Sequence, residues 1–143
     1  MFNPSQEDVR RFFCEVYRKQ RDGEILTPIE AIAAGWVAQH PEYASLLSDP
    51  NKASAAEFSA ERGDSNPFLH LSMHLSIAEQ ISIDQPQGVR SAFIALTKKL
   101  DSEHEAHHQI MESLGEMIWN AQRSGMPPDG TAYIAALNRK TGE

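Results

Sequence analysis

Two His-x-x-x-His pairs stand in this chain: His70 with His74 in NPFLHLSMHLSIAEQ, and His104 with His108 in LDSEHEAHHQIMESLGEMIW. Glu112 follows His108 one helical turn later. Side chains four apart on a helix share a face, with Cβ atoms about 5–6 Å apart. Each pair therefore presents two imidazoles to one ion if its segment is helical. The partial positive charge at a helix N-terminus disfavours imidazolium, and neutral imidazole is the metal-binding form. The ligand set read from this spacing is His70, His74, His104, His108 and Glu112, and the expected cofactor is a transition-metal ion, Zn or Fe foremost. The competing reading is a set of surface or hydrogen-bonded core histidines, because a single His-x-x-x-His motif matches by chance too often to stand alone.

The surroundings of the second pair sharpen the choice. From Leu100 to Gln122 there is no Lys or Arg, while Asp101, Glu103, Glu105, Glu112 and Glu116 all fall in the stretch. That local negative field attracts a cation; the plainer account is that acids near Asp101 complement a helix dipole. Glu105 and His108 form an E-x-x-H step of the kind seen in di-iron carboxylate bundles. The His-x-x-x-His and His-x-x-x-Glu steps also look like hemerythrin-type helices, but the helix order differs and no second ligand set completes that pattern. His107 falls on the stripe of Ile110, Met111, Leu114 and Ile118 and reads as a packed residue. Met73 and Met111 flank the pairs; thioether suits Cu(I), but methionine at helical spacing is more often core filler. His40, just before Pro41, reads as a helix-end residue.

The elements that must position these groups are helical nearly throughout. Asn3-Pro4-Ser5 opens a helix whose Val9, Phe12, Phe13, Val16 and Tyr17 form one apolar face. Asp22-Gly23 ends it. Thr27-Pro28 with Glu30 has the form of a capping box and starts a helix reaching about Gln39. Pro41 opens a short helix, PEYASLL. The polar, small-residue segment 48–66 reads as a long loop, functional or partly helical. Its C-terminal end, with Glu61 and Asp64, is expected near the histidines, as a plain connector or as a mobile cover. Asn66-Pro67 starts a helix running to about Asp84. The next helix spans 88–100. Asp101 is the expected N-cap of the last long helix, which ends at Gly125, and a short helix follows Pro127-Pro128-Asp129. No strand-type alternation is present.

If the segments 67–84, 88–100 and 101–124 run up, down and up, the first and third are parallel. Both histidine pairs lie in the first two turns of their helices. They then fall at the same end of a bundle, with the nearest imidazole nitrogens expected within about 5 Å of each other at an ion-free site.

Composition bounds the remaining classes. The chain has 143 residues, enough for one domain with an ordinary core. Its formal charge of -7 weighs against nucleic acid and anionic membranes. The arginines and lysines of the first helix interleave with acids and read as a salt-bridged face. One cysteine, Cys14, permits no intrachain disulfide and reads as a small buried side chain. No segment approaches the roughly 18 apolar residues needed to span a bilayer. The N-terminus lacks the basic region and apolar core of a signal peptide. A cytoplasmic setting is expected.

The run NPFLHLSMHLSIAEQISIDQPQGVR, with HHQIMESLGEMIWNAQRSG and PPDGTAYIAAL, resembles the bacterial domain-of-unknown-function 1841 family. The opening MFNPS…VRRFF and the middle LTPIEAI…HPEY are similar to it as well, so the resemblance covers nearly the whole chain. It implies a small bacterial protein and a shared pattern that includes His70, His74, Glu79, His104, His108, Glu112, Glu116 and Trp119. It supplies no catalytic residues.

Together these readings give an all-α, compact single-domain bundle of five or six helices over residues 1–143. The leading function is a cytoplasmic helical protein that binds a transition metal through paired histidines. The alternatives are a metal-free protein-interaction module, with a protein partner or a second copy on its apolar faces, and a metal-dependent hydrolase or oxidoreductase using Glu79 or Glu116 beside the metal.

Overall fold

A computed structural model describes residues 6–57 and 66–142. Among them the chain is all-α: α1 Gln6–Asp22, α2 Pro28–Ala38, a 3-10 turn Pro41–Tyr43, α3 Ala44–Leu47, α4 Pro50–Ala55, α5 Pro67–Ile83, α6 Val89–Leu100, α7 Glu103–Ser124 and α8 Gly130–Lys140. The eight α-helices exceed the five or six expected from periodicity. The difference lies in two short helices, α3 within PEYASLL after a 3-10 turn, and α4 within the segment expected to be a loop. The expected helix start at Asn3-Pro4-Ser5 lies outside the described residues, as do Glu61 and Asp64. The chain divides into two compact units, Met1–Leu75 and Ser76–Glu143, with the division falling inside α5.

The first unit is built around α1, which packs against α2, α3 and α4. Phe13, Val16, Ala33, Leu47, Phe68 and Leu71 form its core. Burying each of the larger of these contributes about 1.5–3 kcal/mol. The α2 start is a complete capping box. Thr27 Oγ1 accepts from the Glu30 N–H, and the Glu30 carboxylate accepts from the Thr27 N–H at 2.9 Å. Lys19 on α1 then reaches the same carboxylate at 3.0 Å, so the cap also ties two helices together. The Thr27 N–H first, and Lys19 second, hold the Glu30 carboxyl below its ordinary value of 4.5.

The α4 helix repeats a start signal seen elsewhere in the chain. Asp49 Oδ1 accepts from the N–H groups of Asn51 and Lys52, and Pro50 takes the first position. Its far end is closed by Arg10, which donates to the carbonyls of Ala53 and Ala56 and lies over the Phe68 ring. A charged group thus serves the carbonyls that a short helix leaves without intrahelical partners.

In the second unit α6, α7 and α8 pack pairwise. Val89, Ala92, Leu96, Ile110, Leu114, Tyr133 and Leu137 are buried there, and Ile77 of α5 with them. Tyr133 donates to Gln80 Oε1 at 2.7 Å, which links α8 to the C-terminal part of α5. Two residues join α6 to α7. Asp101 adopts φ 55 and ψ 36, and Ser102 is extended. Ser102, not Asp101, is the N-cap of α7, its Oγ accepting from the Glu105 N–H at 3.0 Å. Asp101 instead takes the left-handed position that ends α6, a role Asp tolerates better than most residues. The link is therefore a reversal.

Gly88 occupies φ 106 at the start of α6, and a Cβ there would meet Ile134 Cγ2 at 3.2 Å. Gly88→Ala is expected to lower stability by about 1–3 kcal/mol, from backbone strain with the Ile134 contact added; a denaturant midpoint equal to wild type would show that the turn relaxes freely. A second expectation follows from Glu30. Its carboxyl is depressed by folding, so its contribution is complete above about pH 4.5 and is lost as the pH falls through the lowered value. Glu30→Gln should be less stable than wild type at pH 7, and the difference should shrink in acid. Unfolding curves from pH 7 to 3 measure this, and a gap constant over that range would contradict the assignment.

Candidate metal centre

In the first unit, His70 and His74 come from the first two turns of α5, whose start is fixed by Asn66. The Asn66 Oδ1 accepts from the N–H groups of Phe68 and Leu69, and Pro67 follows it. The i, i+4 spacing places both rings on one face, and their Nε2 atoms lie 3.1 Å apart. His40 joins them from the end of α2, its Nε2 3.4 Å from the Nε2 of His74. His74 is wholly buried and His40 nearly so. His40, His70 and His74 each offer one ligand atom, all within 4.8 Å of one another.

Aromatic neighbours hold these rings. Trp36 stacks on His74 at 4.1 Å between centroids and 12° between planes. Tyr43 stacks on His40 at 5.0 Å and 10°. The Nδ1 of His40 lies 3.1 Å from Glu42 Oε2. The Glu42 carboxyl is held below the usual range, first by its own backbone N–H and then by His40. Burial, and then the Glu42 charge, push the Tyr43 phenol upward, so it stays protonated.

In the second unit, His104 and His108 lie in the first two turns of α7, with ring centroids 4.4 Å apart. They too offer ligand atoms within 4.8 Å of each other. The Nε2 atoms of both are buried, and the Nδ1 of His108 is 3.5 Å from Glu105 Oε2. Glu112 is exposed, and its Oε1 accepts from Lys140 Nζ at 3.0 Å. Glu79 and Glu116 are exposed. Glu116 lines an open groove between α7 and α8 with Tyr133 and Arg139, and no histidine lines that groove.

His107 behaves as its apolar stripe implies. It is buried and meets the Phe93 ring edge-to-face at 5.5 Å. Desolvation first, then His104 and His108, lower its pKa to about 4, so it is neutral at physiological pH. Sequence reasoning missed His40, Trp36 and Tyr43 as members of the site. The signal available for His40 was local, a His-Pro step followed by Glu42 and Tyr43.

These features define an all-helical protein with a buried histidine cluster at metal-ligand spacing. The chain belongs to the family described as Domain of unknown function (DUF1841), which matches over residues 5–139. No curated protein and no solved structure matches it. Among the described residues, no helix is long and apolar enough to cross a membrane.

The Phe93 contact yields a stability prediction. His107→Ala should cost about 2 kcal/mol through the cavity left in the α6–α7 packing and the lost ring contact. Thermal unfolding within a degree of wild type would show that His107 does not pack as described.

Proposed function

We propose that His40, His70 and His74, which meet in the first unit, hold one transition-metal ion, each giving one ring nitrogen. The observation that carries this reading is the meeting of three Nε2 atoms in the first unit, at 3.1 and 3.4 Å. Two nitrogens bound to one ion at about 2.0–2.1 Å, with a tetrahedral or octahedral angle between them, lie about 2.9–3.4 Å apart. Both spacings fall in that range. A proton on the Nε2 of His74 bridges only one of its two imidazole neighbours at a time, whereas a cation engages all three lone pairs together.

The donor chemistry narrows the ion. An all-imidazole set suits Zn, Fe, Cu or Ni, and is a poor match for Mg or Ca, which take oxygen ligands. Zn(II) and Fe(II) head this list. Three protein nitrogens are one fewer than the four ligands of a closed structural zinc site and leave a position for a further ligand. The function proposed is metal binding by a helical scaffold, without an assigned reaction.

Elemental analysis of untagged protein, purified without chelator, is expected to find close to one equivalent of a d-block metal per chain. After stripping, Co(II) should bind and quench the emission of Trp36, read in a Trp119→Phe background that leaves Trp36 as the sole tryptophan. His74→Ala should lower metal affinity at least 10-fold, and His107→Ala should not. Trace metal as purified, together with no uptake of added Zn(II) or Co(II), would overturn the proposal.

A further inference from the structure

His40 contributes a ring whose orientation is set by more than its backbone. Its Nδ1 is 3.1 Å from Glu42 Oε2, and its Nε2 is 3.4 Å from the Nε2 of His74. A carboxylate accepts hydrogen bonds and donates none when ionised, so the ring hydrogen in that contact sits on Nδ1. Neutral imidazole then carries its lone pair on Nε2, the atom turned toward His70 and His74. Tyr43, stacked on the same ring, fixes its plane. The tautomer and the plane of His40 are thus both specified by residues within three positions of it.

His108, in the second unit, also has a carboxylate near its Nδ1, at a longer distance. Its Nδ1 faces Glu105 Oε2 at 3.5 Å, and its Nε2 is buried. The two carboxylates come from different local geometries. Glu42 is two residues after its histidine in a 3-10 turn, and Glu105 is three residues before its histidine on α7. The shared outcome is a histidine with Nδ1 on a carboxylate and Nε2 turned inward.

We infer that Glu42 is a positioning residue of the metal centre: it accepts the Nδ1–H of His40 and so presents the Nε2 lone pair to the ion. The inference rests on the metal reading above and assigns that site an outer carboxylate. A carboxylate behind a ligating histidine fixes the tautomer and raises the basicity of the ligating nitrogen, and losing it typically costs 10–100-fold in metal affinity, an order-of-magnitude expectation.

The test uses the full chain, stripped of metal and titrated with Co(II) or Zn(II), beside nitrogen-15 NMR of the His40 ring. Glu42→Ala should weaken binding by about 10-fold or more, and should shift the metal-free His40 ring away from the Nδ1–H tautomer. Glu42→Gln keeps an acceptor oxygen and should restore much of both. Unchanged thermal unfolding of the metal-free Glu42 variants shows that the loss is not a folding defect; if Glu42→Ala unfolds, Glu42→Gln and the wild-type tautomer still decide the matter. Wild-type protein that binds metal while Glu42→Ala binds it equally well, with an unchanged His40 tautomer, overturns this inference and leaves the site reading standing. Wild-type protein that binds no metal overturns both.

Discussion

An imidazole has two ring nitrogens, and in its neutral form only one of them can accept. The first unit brings two imidazole Nε2 atoms, of His40 and His70, within hydrogen-bonding distance of a third, that of His74, at a wholly buried position. Burying polar groups is costly unless their partners are well placed. The surrounding architecture answers that demand. Trp36 covers one face of His74, Tyr43 covers His40, and Glu42 takes the outer nitrogen of His40. What looks like an ordinary aromatic cluster is thus organised around polar atoms pointing inward.

Helix starts do much of the positioning. His70 and His74 occupy the first two turns of α5 because Asn66 and Pro67 fix where that helix begins. His104 and His108 occupy the first two turns of α7 because Ser102 fixes its first residue. A cap displaced by one residue would rotate every side chain of its helix by about 100°, given about 3.6 residues per turn. Short polar contacts at helix ends therefore govern where the imidazoles face, although they contribute only about 1 kcal/mol each to stability.

How much of this was legible in the sequence depends on whether the controlling interaction is local. The two histidine pairs, the packed role of His107, the capping box at Thr27 and the start at Asn66-Pro67 all follow from residues within about one turn of each other, and the structure has each of them. The errors have equally definite causes. Asp101 and Ser102 are adjacent and both suit an N-cap; the left-handed backbone at Asp101 decides between them, and no periodicity reveals it. The α4 helix carries the same Asp-Pro start signal but has only one buried residue, Ala53, so it shows no apolar stripe. Its C-terminal carbonyls are served by Arg10, more than forty positions earlier in the chain. Lys140 likewise reaches back from α8 to Glu112, so a carboxylate one turn after His108 is engaged by a helix that the spacing argument did not include.

His40 shows where the local and non-local parts of a site separate. Its approach to His74 joins positions 34 apart in sequence and depends on how α2 and the 3-10 turn lie against α5 within the first unit. Nothing in a helical repeat encodes that approach. The orientation of its ring is another matter, since Glu42 and Tyr43 follow it directly. The fold decides whether this histidine reaches the cluster, and the short segment His40-Pro41-Glu42-Tyr43 decides which nitrogen it presents there. Glu105 stands in the same relation to His108, within a single helix turn. A histidine flanked at short range by a carboxylate is therefore worth reading as oriented even where its partners are unknown, because orientation is the part of the chemistry that neighbouring residues can set by themselves.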